Sequence, residues 1–169
     1  QGAVGYFFHG WVDSGQRLLV SDDYAIEQSN FYTILPDGTD LQPLITGGGA
    51  EVIHAISPDG QQIVYSERPA RANTASLYVR ALSEPAPLLL SSPFCSDSIC
   101  GIEQVRYSPA RDQMAYTTWI PHSAQYRPSE LWLVNTDGAP PVWRTLGDDL
   151  YAPVWLNDET LIIHKSAGP

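Results

Sequence analysis

Lysine is almost absent. Lys165 is the single one, and nine Lys and Arg together face 19 Asp and Glu, for a formal net charge of −10. Nucleic acid and anionic membrane surfaces are bound through basic faces, so no nucleic-acid partner is expected. A cationic partner or a metal stays open, with solubility the simpler account of the charge. Charged residues are also few, at 17% of the chain, which excludes a disordered polyelectrolyte. Long apolar runs are missing: nothing approaches the roughly 18 residues of a membrane-crossing helix, so no membrane insertion is expected. No signal-peptide pattern stands at Gln1, which by itself does not decide export.

Signature chemistry is missing too. The sequence contains no G-x-S-x-G nucleophile elbow, no H-E-x-x-H, no P-loop and no G-x-G-x-x-G. The expectation is no catalytic residue, no cofactor and no metal for this chain. The acidic clusters Asp37-Gly38-Thr39-Asp40 and Gly147-Asp148-Asp149 do not match a calcium loop and read as turns. Apolar spacing of 3.6 is not sustained beyond about ten residues, so no helix is expected. Cysteine is limited to Cys95 and Cys100, in Cys-Ser-Asp-Ser-Ile-Cys. A disulfide there would staple the loop and imply an oxidising compartment. Free thiols are the competing reading, and a metal pair would need two more ligands.

What the chain does have is a repeat. In Ile56-Ser57-Pro58-Asp59-Gly60, Pro58 pre-sets its own φ and Gly60 tolerates φ > 0, which together make a tight turn. The following Ile63-Val64-Tyr65 is β-branched and aromatic, as strands favour. Degraded copies open at Trp11, Tyr107 and Trp155. The steps from 11 to 56, 56 to 107 and 107 to 155 are 45, 51 and 48 residues, a spacing typical of propeller blades. Each copy divides into four short strands. The first set is Tyr6 to Val12, Gln16 to Asp22, Asn30 to Leu35 and Leu41 to Thr46. The second is Glu51 to Ile56, Gln61 to Glu67, Ser76 to Leu82 and Ala86 to Leu90. The third is Ile102 to Tyr107, Gln113 to Trp119, Glu130 to Asn135 and Val142 to Leu146. The fourth holds only Leu150 to Trp155 and Thr160 to Lys165. Pro43, Pro87 and Pro140-Pro141 fall at or beside fourth strands, where an outer edge tolerates proline.

The Ser-Pro-Asp-Gly turn, the Leu-Tyr-Val third strand and the Asp-Gly turns at Asp37-Gly38 and Asp137-Gly138 resemble TolB-like β-propeller repeats. They are also similar to the propeller of the dipeptidyl-peptidase and prolyl-oligopeptidase group. The resemblance implies an all-β partial propeller of four-stranded antiparallel blades, over 5–49, 50–101, 102–149 and an incomplete 150–169. Propellers usually have at least four blades, and five residues before Tyr6 are too few to complete the last. The chain is therefore expected to be a fragment of a longer protein, or to self-associate through its open blade ends.

In such blades the second-to-third connections and the blade-to-blade loops share one side of the disc. Here those segments are long: Asp23 to Ser29, Arg68 to Ala75, Ile120 to Ser129 and Ser91 to Gly101. Variable loops on a rigid scaffold tend to carry function. The candidate binding face is accordingly Asp23, Tyr24, Glu27, Arg68, Arg71, His122, Tyr126 and Arg127. His9 and His54 share one repeat position and are channel candidates. Val105 and Pro153 take that position in the other copies, so a histidine ring is not expected. The expected function is a non-catalytic scaffold that binds a protein, peptide or glycan in a periplasmic, extracellular or cell-surface protein. The alternatives are the accessory propeller of a serine peptidase and a propeller enzyme acting on sugars.

Overall fold

A computed structural model describes residues 6–22, 30–46, 49–69, 72, 74–92, 101–122, 125–140, 142–144 and 150–165. Every regular element among them is a strand. Sheet one contains β1 (Phe7–Val12), β2 (Arg17–Ser21), β3 (Phe31–Ile34) and β4 (Gln42–Ile45). Sheet two contains β5 (Gly49–Ile56), β6 (Gln62–Pro69), β7 (Ser76–Ala81) and β8 (Leu88–Ser91). Sheet three contains β9 (Gly101–Tyr107), β10 (Gln113–His122), β11 (Gln125–Asn135) and β12 (Val142–Arg144). Sheet four is the hairpin β13 (Leu150–Asn157) and β14 (Thr160–Lys165). Strands follow chain order within each sheet and pair antiparallel. This is a partial β-propeller of three and a half blades. First strands meet first strands along the series, β1 against β5, β5 against β9 and β9 against β13, so they form the inner rim.

The second strands show why the fold follows from the sequence. Successive strand residues point to opposite faces. Ile63 and Tyr65 pack with Val12, Leu19, Phe31 and Ile45 of sheet one, whereas Val64 turns to sheet three. Met114 and Tyr116 likewise pack towards sheet two, and Ala115 faces Leu161 and Ile163 of sheet four. A strand covered on both faces needs an unbroken apolar run, as in Ile63-Val64-Tyr65 and Met114-Ala115-Tyr116. Burial of an Ile, Val or Met side chain there stabilises by about 1.5–3 kcal/mol. Tyr65 stacks on its cross-strand neighbour Tyr78 at 5.4 Å, and Tyr116 on Trp132 at 6.1 Å.

One expectation is overturned. Ile120 to Ser129 is not an irregular loop, because β10 and β11 pair through it in the register Ile120↔Arg127, Pro121↔Tyr126 and His122↔Gln125. The ladder instead absorbs Pro128 beside a bulge, between the pairs Thr118↔Glu130 and Trp119↔Pro128. Bulges are one of the few places where a sheet accepts proline.

Candidate binding face

The two sides of the fan are built differently. On one side lie the turns between first and second strands, and each is tied to the next sheet. The Asp13 N–H donates to the Gly60 carbonyl at 2.7 Å, and Gln61 Nε2 donates to Ser14 Oγ at 2.9 Å. Arg111 forms an ion pair with Asp59, and the Ala110 N–H donates to Asp158 Oδ1 at 2.6 Å. Within sheet two, Ser57 Oγ donates to Asp59 Oδ1 at 2.6 Å and accepts the Gln62 N–H at 2.9 Å. Sheet three keeps this arrangement although its turn reads Ser-Pro-Ala-Arg-Asp. Ser108 Oγ donates to Asp112 Oδ1 at 2.9 Å and accepts the Gln113 N–H at 3.2 Å. Third-to-fourth turns join the same network, with the Leu82 N–H on the Gln61 carbonyl and the Thr136 N–H on the Asp112 carbonyl, both at 2.9 Å. The motif's role beyond its own turn, linking one sheet to the next, was not anticipated from the sequence. Its signal was the polar residue three places past the anchor, at Ser14, Asp59 and Asp158, with Ala110 there in the third copy and Arg111 following it.

Gly60 shows how closely the turns approach. It has φ +69°, where side chains are strained, and a Cβ placed there would lie 3.2 Å from Val12 Cα and 3.2 Å from Ser14 N.

The opposite side carries those candidate residues that the structure describes. Asp23, Tyr24, Glu27, Arg71, Cys95 and Cys100 lie outside the described residues. Arg68 sits in β6, half-buried, opposite Ala50. His122, Tyr126 and Arg127 are brought together on the β10–β11 ribbon, two to four rungs beyond the bulge. Arg68 belongs to the preceding sheet. β2 ends at Ser21, whereas β10 continues five residues past the equivalent Thr117. The ribbon therefore extends past the strand length of sheet one on this side of the fan.

His9 and His54 occupy bulges of β1 and β5. Phe8 pairs with Val20 and Gly10 with Leu19, leaving His9 between them; Ile53 pairs with Tyr65 and Ala55 with Val64, leaving His54. Each ring shares a hydrogen bond with the second strand, His9 Nε2 with Ser21 Oγ at 2.9 Å and His54 Nε2 with Ser66 Oγ at 2.8 Å. Desolvation lowers both rings' affinity for protons, and His54 is pushed down to about 4. His54 keeps some accessible surface, yet its ring is set deep among its neighbours, and that setting governs its charge. In sheet three Val105 takes the position and is buried, while Thr117 Oγ1 turns to the Glu103 carbonyl at 3.4 Å. The histidines therefore act as bulge-to-strand ties. Among the described residues no three His, Cys, Asp or Glu side chains gather as a metal site, and no helix is long and apolar enough to cross a membrane.

Neither a protein-family model nor a curated protein matches the sequence. Solved structures do match in fold. A putative TolB from Agrobacterium tumefaciens superposes with a TM-score of 0.59 at 18% identity, over 88% of this chain and 48% of that one. Hydrazine synthase of Kuenenia stuttgartiensis gives 0.60 at 14% identity, over 90% and 47%. A prolyl endopeptidase gives 0.60 at 16% identity, over 90% and 22%. The chain is similar to both TolB and peptidase propellers and spans less than half the length of each of these structures.

Proposed function

We propose that this chain is a β-propeller binding module, non-catalytic in itself, within a longer exported or cell-surface protein. Its partner is a protein or peptide held on the side that carries Arg68, His122, Tyr126 and Arg127. The asymmetry between the two sides of the fan carries this reading. One side is tied sheet to sheet through its turns, which makes a rigid base. The other extends a paired ribbon beyond the end of β2, and an extended strand pair offers backbone and alternating side chains to a partner. Likeness to other propellers supports the scaffold and leaves the partner to the ribbon's own chemistry.

The test is to shorten the ribbon to its Thr118↔Glu130 rung. Thr118 and Glu130 are directly opposite each other, so residues 119–129 can be replaced by Asn-Gly, a two-residue turn that suits a hairpin. Circular dichroism establishes that the shortened protein is folded. Both forms are then used as bait for periplasmic and surface proteins, with retained proteins quantified by mass spectrometry. A protein held by the parent and lost with the ribbon is the expected result. Equal retention of all proteins by both forms overturns the reading.

A further inference from the structure

The outer gap between sheets one and two encloses a cavity of about 320 Å³, within the size range of small-ligand sites. Its walls include Arg17, Thr33, Pro43, Gln61, Arg80 and Leu82. It opens on the stapled side of the fan and is independent of the projecting ribbon. The same gap recurs between sheets three and four, with a volume of about 280 Å³. There it is lined by Gln113, Leu133, Trp155, Asp158, Glu159 and Leu161 and holds no arginine. The cavity is thus a product of the splayed sheets, and its two arginines have no counterpart in the gap between sheets three and four.

Arg80 is out of place by the logic of the repeat. It pairs with Ile63, so it stands on the face turned to sheet one. The equivalent residue of sheet three is Val134, paired with Met114, 1% exposed and packed in the core. In sheet one it is Ile34. An arginine therefore stands where the fold elsewhere places an aliphatic side chain. Its Nε is buried and meets no acceptor among the described residues. No carboxylate among them lies within ion-pair distance of it either. A buried donor left unmade costs about 1–3 kcal/mol.

Arg17 differs. Its Nε donates to Thr33 Oγ1 at 3.0 Å, its Nη1 to Asp40 Oδ2 at 2.7 Å and its Nη2 to the backbone carbonyls of Thr33 and Asp40. It is fully committed to its own sheet and leaves Arg80 as the open fork in the gap. We infer that this cavity binds a peptide C-terminus, with Arg80 receiving the carboxylate. A guanidinium fork matches the two oxygens of a carboxylate. Gln61 and Thr33 offer polar atoms to the adjoining amide, and Pro43 and Leu82 offer apolar wall to a small side chain. Asp13 also lines the cavity, and its negative charge favours a singly charged carboxylate over a doubly charged phosphate.

The test titrates the 169-residue chain with N-acetyl-alanyl-alanine and follows the Arg80 Nε–H resonance at slightly acidic pH, where the peptide carboxylate is still ionised. The expected result is a saturable shift of that resonance. Arg80→Val restores the aliphatic residue of sheet three, so it should fold, and backbone resonances around the cavity then report binding. Loss of one charge-assisted pair should weaken binding by about ten- to a hundredfold. The amidated dipeptide and inorganic phosphate should produce no saturable shift. Glu159→Ala, in the gap without arginine, should leave binding unchanged. Absence of saturation, unweakened binding by Arg80→Val, or equal binding of the amide or of phosphate would overturn the inference.

Discussion

Arg111, in the first turn of sheet three, is ion-paired with Asp59, in the same turn of sheet two. The residues are 52 apart in sequence, about one blade. The pair belongs to a series of turn-to-turn bonds that continues from Asp13 and Gly60 to Ala110 and Asp158. Asp59 also closes its own turn by accepting from Ser57 Oγ and the Gln61 N–H. One carboxylate thus shapes a turn and joins two sheets.

The two roles of Asp59 separate on mutation. Arg111→Ala removes only the exposed pair and should cost at most about 1 kcal/mol. Asp59→Ala removes the turn bonds as well and should cost more. The Ser57 hydroxyl, the Gln61 amide and then the Arg111 charge hold the Asp59 carboxyl below its ordinary value of 3.8. A lowered carboxylate stabilises the fold above its unfolded-state value, and the effect is lost as pH falls through the folded-state value. Thermal denaturation below pH 3.8 should therefore show a shallower acid limb for Asp59→Asn than for the parent. Equal limbs would remove Asp59 from the network.

Gly60 and Gly38 both have positive φ, at +69° and +83°. Only Gly60 is crowded: a methyl group there would meet Val12 Cα and Ser14 N at 3.2 Å, whereas one at Gly38 would face open space. Gly38→Ala should cost about 1–2 kcal/mol, the left-handed strain alone. Gly60→Ala should cost more and loosen the bond from the Asp13 N–H to the Gly60 carbonyl. Urea denaturation of the two variants measures the difference, and faster amide exchange at Asp13 in Gly60→Ala, with none in Gly38→Ala, shows that this bond is affected.

His54 gives the fold a second acid limb at higher pH. Its folded-state value is about 4 against an ordinary 6.5, so the unfolded chain takes up the proton first. Stability is complete above pH 6.5 and falls as pH drops towards 4, by an amount on the order of a few kcal/mol. Replacing His54 by Val, as in sheet three, together with Ser66→Ala avoids orphaning the buried Ser66. This double variant should lose most of the pH dependence in that window. A denaturation series across it that superimposes on the parent's would show that His54 does not set the slope.

The architecture was legible because two rules recur along the chain. Apolar runs such as Ile63-Val64-Tyr65 mark strands covered on both faces, and Pro-Asp-Gly or Asp-Gly marks the turns between strands. Most observed strand ends fall within a residue or two of the expected ones. The β10–β11 ribbon was not legible, since Pro121 and Pro128 mimic a loop and only the register shows the bulge that admits Pro128. Arg80 was legible in principle: alignment of third strands sets it against Ile34 and Val134. Its unpaired Nε and the cavity around it depend on how two sheets splay, which no single strand encodes. The histidine position was readable as a repeat, but its bulge and its serine partner are properties of the ladder.

The two end faces make the last prediction. Register places Trp11, Leu18 and Ile34 on one face of sheet one, with Phe8, Val20 and Tyr32 beside them. The equivalent residues of sheets two and three, Ile56 with Ile63 and Tyr107 with Met114, face the preceding sheet. In sheet one Phe8 is 60% and Trp11 51% exposed. At the far end, Val154 and Ile162 pair on the face of β13–β14 turned away from sheet three, and they are 54% and 52% exposed. Sheet-one-like and sheet-four-like faces are the two halves of the contact that already joins neighbouring sheets within the chain. The isolated protein should therefore self-associate head to tail as its concentration rises, through a heterologous contact that need not close. A carboxylate at either end should break it, since an unpaired charge cannot be buried cheaply. Sedimentation velocity should show a rising weight-average mass for the parent. Phe8→Asp and Ile162→Asp should each move that rise to at least about tenfold higher concentration. A strictly monomeric parent over the same range would show that the exposed end faces do not recognise each other.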